Sequence, residues 1–172
     1  MRSASEIKVE IEERLGFFPP FFEPALNDPS LLESLWQQTL SAYVENPLPA
    51  LFKEKLFAYL SRFCRVPYCT VCHSCTLSPI GMTAGEMLDL LESPLSLDET
   101  EVSGKAAALN ASSATLEEWP RAGSTLEDTL FAGAIAVFTS SEQCEHCQAA
   151  LRRLLGETTY GQLMAFLAYV KT

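Results

Sequence analysis

The chain has 172 residues and a mass of 19.0 kDa, the size of a single domain with a sizeable core. With 48% hydrophobic and 20% charged residues it is too apolar to be disordered. Its 12 Lys plus Arg against 22 Asp plus Glu, a formal charge of -10, argue against nucleic acid and anionic membrane surfaces as partners. The N-terminus carries no secretory signal pattern, and the longest apolar stretch, Phe131 to Phe138, is far short of the roughly 18 to 20 residues that span a bilayer. A soluble, cytoplasmic protein is expected. In that reducing compartment Cys64, Cys69, Cys72, Cys75, Cys144 and Cys147 call for a metal-binding or redox explanation, and the only two histidines, His73 and His146, fall in the same two stretches.

In chain order, the first sixteen residues read as a charged amphipathic helix, and residues 17–30 as an aromatic and proline-rich ordered connector ending in a Pro29-Ser30 helix start. Leu32, Leu35, Trp36, Leu40, Tyr43 and Val44 then recur at helical spacing up to Asn46-Pro47. A helix from Ala50 to about Phe63 is predicted with Leu51, Leu56, Ala58, Tyr59, Leu60 and Phe63 apolar and Lys53, Glu54, Lys55 and Arg62 largely to one side. Pro67 forces a break, and a new helix runs through Leu77. Thr83 with Glu86 has capping-box spacing for a helix that stops at Ser93-Pro94. Residues 95–123 read as a long polar connector with short helical possibilities around Val102 to Leu109. Three further helices follow, Thr125 to about Phe138, about Ser141 to Leu155 closed by Gly156, and Thr158 onward. No stretch alternates with period two, so the expected fold is all-α. Leu56 to Cys72 can be laid on Leu130 to Cys147 with one insertion, each an LFA helix, a kink and a CxxC, which fits an internal pseudo-duplication.

Cys69 falls in the first turn of its helix, where free N–H groups and the positive helix end favour thiolate over thiol. Cys72, three residues on, and His73, four residues on, share its face, the first as a disulfide partner and the second as a base. Glu54, on the preceding helix, can orient His73 if the two helices pack together. Cys64 reads as a core residue, and Tyr68 as a packing residue near the thiol.

The run FKEKLFAYLSRFCRVPYCTVCH, with LGFFPPFFEPALNDPSLL before it and SPIGMTAGEM after it, resembles the alkylhydroperoxidase D-like (carboxymuconolactone decarboxylase) superfamily. The likeness covers roughly residues 12–90 well and 126–172 more loosely. It implies an all-helical fold, a homo-oligomer such as a trimer or hexamer, and reduction of a hydroperoxide at the expense of a dithiol or lipoyl-type reductant. It places Cys69 as the peroxide-attacking cysteine and Glu54 with His73 as the proton relay. The family's resolving cysteine falls on Val66, so Cys72 takes that role here, with Cys64 and Cys75 as further candidates.

Two other functions stay open. Two of Cys69, Cys72 and Cys75, together with Cys144 and Cys147, would make a zinc-binding structural module of paired CxxC motifs if the two stretches meet. An iron–sulfur run fails because Pro79 stands at its fourth ligand position. Around Cys144 and Cys147 the family partners are missing: Leu151 stands for the histidine and Ala132 for the glutamate. The last helix stops without Gly, Asn or Pro, which fits a redox- or metal-sensing regulatory domain cut from a longer signalling protein.

Overall fold

The computed structural model describes residues 2–93, 104, 115–140 and 144–171. Most of the polar connector, its expected helical turns around Val102 to Leu109, and the expected helix start at Ser141 lie outside the described residues. Helices and turns account for the described chain and no strand occurs among its described residues, in line with the all-α expectation. The chain forms two compact units, Met1–Asn46 and Pro47–Thr172.

In the first unit α1 (Ala4–Leu15) opens on a capping box, in which the Glu6 N–H donates to the Ser3 hydroxyl and the Ser3 N–H to the Glu6 carboxylate, and it closes on Gly16 at φ 80°. The aromatic connector holds a 3-10 turn, Pro20–Ala25, that buries Phe22 and Ala25. Helix α2 (Pro29–Thr39) starts where Asp28 accepts from the Ser30 and Leu31 N–H groups, and runs into a π-helical turn, Leu40–Val44. Ile7, Ile11, Phe22, Leu32, Trp36 and Leu40 form this unit's core.

The second unit is organised around α3 (Ala50–Phe63), which packs against α4 (Pro67–Leu77), α5 (Ala84–Glu92), α6 (Thr125–Thr139) and α7 (Cys144–Lys171). Helix α7 is broken at Gly156, at φ 70° and ψ 165°, where the sequence places a helix stop. The predicted Thr83–Glu86 capping box is formed at the start of α5.

The polar side of α3 is not a solvated one. Helices pack on that side too, so Lys53 and Glu54 are each only 7% exposed. Lys55 Nζ meets Glu127 Oε2 of α6 at 3.2 Å, and Glu127 also accepts the Gly123 N–H at 2.8 Å. Arg62 donates to the Leu90 and Ser93 carbonyls at the end of α5, both at 2.8 Å. These charges serve as ties between helices. Phe52 and Tyr59 of α3 meet Phe131 of α6 edge-on.

The two similar stretches have matching corners. Arg65 (φ 58°) follows α3 and Ser140 (φ 54°) follows α6, and each left-handed residue stands four positions before the first cysteine of its CxxC. They are the only non-glycine residues with positive φ among the described residues.

Candidate functional site

The corner between α3 and α4 sets the geometry. Cys64 caps α3, Arg65 turns the chain through the left-handed region, and Val66 precedes α4, with the Val66 N–H donating back to the Ser61 carbonyl at 2.9 Å. Pro67 at the first helical position fixes φ where no N–H is needed. Cys69 therefore sits in the first turn of α4, as expected, and α4 doubles back along α3.

That packing brings Glu54 and His73 together. His73 Nδ1 lies 2.7 Å from Glu54 Oε2, with both side chains mostly buried. An ionised carboxylate only accepts, so Nδ1–H donates and Nε2 is left as the nitrogen able to take a proton. The Thr76 hydroxyl donates to the same carboxylate oxygen at 2.7 Å. The imidazole stacks on Phe57 at 3.6 Å with the planes 14° apart, and Phe57 is itself held edge-on by Phe166 and Tyr169 of α7. Thr76 and Phe57 were missed by sequence reasoning. The signal for both was helical spacing: Thr76 stands three residues after His73, and Phe57 three after Glu54.

Cys69 is half-buried, and burial is the first cause that pushes its thiol up, followed by the neighbouring Cys72 and Cys64. The expected helix-end stabilisation of its thiolate does not prevail. Cys64 is an exposed cap residue rather than a core one. Its thiol is also raised by burial, while the Lys171 ammonium works the other way. Tyr68, 41% exposed, packs less than expected. Its hydroxyl is pushed up to about 12, first by burial and then by the neighbouring Cys72 and Cys69 thiols. Cys75 is exposed and borders an open groove of about 330 Å³ lined by Thr70, Val71 and Ser74 of α4 with Met87 and Leu91 of α5.

In the second stretch Cys144 begins α7 and accepts from Gln148 Nε2 at 3.3 Å. Gln148 thus holds, four residues on, the place that His73 holds after Cys69. Cys147 is buried, and burial followed by Cys144 raises its thiol. Among the described residues no group of three or more His, Cys, Asp or Glu side chains converges in a way that could hold a metal ion. No helix among them is long and apolar enough to cross a membrane. No protein-family model, no curated protein sequence and no solved structure matches the chain.

Proposed function

We propose that the chain is a thiol-dependent, peroxidase-like redox protein of the alkylhydroperoxidase D-like type, with Cys69 reducing a hydroperoxide and Glu54 with His73 moving the proton. The observation that carries this reading is the 2.7 Å contact between His73 Nδ1 and Glu54 Oε2 in a mostly buried setting, one helical turn from a first-turn cysteine. A thiol raised by burial needs a base to react near neutral pH, and a carboxylate-oriented imidazole on the same helix face is suited to that role.

The step begins with loss of the Cys69 proton to His73 Nε2. The thiolate attacks a peroxide oxygen, the O–O bond breaks, and the leaving alkoxide takes the proton back and departs as alcohol. Cys69 is left as sulfenic acid, which a neighbouring thiol, Cys72 or Cys64, converts to a disulfide with release of water. An external dithiol or lipoyl-type reductant restores the thiols. The family type also implies assembly into a trimer or hexamer.

The test is peroxide consumption over many cycles with a dithiol reductant, alongside intact mass and metal analysis. Cys69→Ser abolishes peroxide-dependent thiol loss, and His73→Ala slows turnover near neutral pH by about 10² to 10⁴-fold. Full activity in Cys69→Ser overturns the assignment. One-equivalent oxidation without turnover favours the sensor, and a zinc-bound, peroxide-inert protein favours the zinc module.

A further inference from the structure

We propose that Cys64, assisted by Lys171, is the thiol that closes the disulfide on Cys69; this rests on the reading of Cys69 as the peroxide-reducing residue. Cys69 and Cys72 both lie inside one unbroken helix, Pro67–Leu77. Residues three apart on a helix hold their Cβ atoms about 5 to 6 Å apart, whereas a disulfide needs about 3.5 to 4.5 Å. A Cys69–Cys72 bond therefore requires the first turn of α4 to unwind.

Cys64 is not held in that helix. It caps α3 on the other side of the corner, only Arg65 separates it from the residue that precedes α4, and it is exposed. Arg65, Val66, Pro67 and Tyr68 are exposed as well, so the corner can adjust without disturbing the core. Cys64 and Cys72 are the two thiols whose charge bears on Cys69.

A cation lies close enough to act on Cys64. Lys171 Nζ, on the last turn of α7, lies 5.1 Å over the Phe138 ring, and Phe138 meets Phe63, the chain neighbour of Cys64, edge-on at 6.3 Å. Its ammonium favours the Cys64 thiolate. After peroxide has converted Cys69 to sulfenic acid, the Cys64 thiolate attacks the Cys69 sulfur. The S–S bond forms, the S–O bond breaks, and hydroxide leaves as water with the proton Cys64 gave up. The two electrons passed to the peroxide come from the two thiols.

The experiment uses the full chain, fully reduced, given one equivalent of hydrogen peroxide, alkylated, and digested with trypsin without reduction. Cleavage after Arg62 and Arg65 puts Cys64 on its own short peptide, apart from the one with Cys69 and Cys72. A Cys64–Cys69 bond gives a cross-linked peptide pair, located by fragmentation, that persists in Cys72→Ser. In Cys64→Ser, Cys69 accumulates as sulfenic acid trapped by dimedone. Lys171→Met slows disulfide closure by about threefold to tenfold, because fewer Cys64 thiols are ionised without the ammonium. An intrapeptide Cys69–Cys72 bond, with Cys64 still alkylated, overturns this inference alone. Recovery of Cys69 as free thiol in both wild type and Cys64→Ser at excess peroxide overturns the peroxidase reading as well.

Discussion

At the residue scale, the proposed reaction divides between Cys69 and His73 the work that a single activated thiol would otherwise do. Burial and two neighbouring sulfurs hold the Cys69 proton on, so the proposed reaction needs a delivered base rather than a standing thiolate. A neutral alkylating reagent that cannot use the relay should therefore report the thiol alone. Cys69 is expected to react slowly with iodoacetamide at pH 7, with a rate midpoint above the ordinary thiol range of about 8.5; a midpoint below that range would sink the burial argument. The linkage has a sign as well. A raised folded-state pKa stabilises the fold at pH below the ordinary thiol value, and that contribution is lost as pH rises through the Cys69 titration. Glu54 shows how the surroundings remake a residue: on sequence alone it is one helix charge among several, and in the fold it accepts from both His73 and Thr76.

At the element scale, the helix ends were the most legible feature. Pro29, Pro67, Gly156 and the Thr83–Glu86 box act through local chemistry, and each marks a boundary or break in the fold. The buried side of α3 was not legible, because Glu54, Lys55 and Arg62 carry charges whose partners come from α4, α6 and α5, far away in sequence. Nor does an arginine advertise a left-handed corner. Arg65 at φ 58° sits where a β-branched side chain is badly strained and glycine is not. Arg65→Val is expected to lower stability by about 1 to 2 kcal/mol while Arg65→Gly does not lower it by more than a few tenths. Urea midpoints for the two variants check this, and equal losses would show that the corner is unstrained.

At the scale of the whole molecule, the second unit is tied together by a mostly buried ion pair as well as by its aromatic core. The side chains of Lys55 and Glu127 are 15% and 2% exposed. Removing one partner strands the other, a change that costs about 3 to 5 kcal/mol in buried pairs. Lys55 keeps some solvent, so Lys55→Met is expected near about 3 kcal/mol, a fall in melting temperature of about 6 to 12 °C. A loss under about 2 °C in scanning calorimetry would show that the pair contributes little. The separation into Met1–Asn46 and Pro47–Thr172 was not apparent from length and composition, because Asn46-Pro47 looks like any other helix end.

The clasp on Glu54 also has a mechanical meaning. His73 and Thr76 fasten the later turns of α4 to α3, while Tyr68, Val71 and the corner before them lie open to solvent. Helix α4 is thus a lever with a fixed end and a loose end, and its sulfur chemistry sits toward the loose end. A bond drawn from Cys69 back to Cys64 would tilt or shorten that end while the fulcrum at Glu54 stays put. In the proposed reaction the Glu54–His73 pair would then outlast each oxidation cycle and be ready when the thiols are restored.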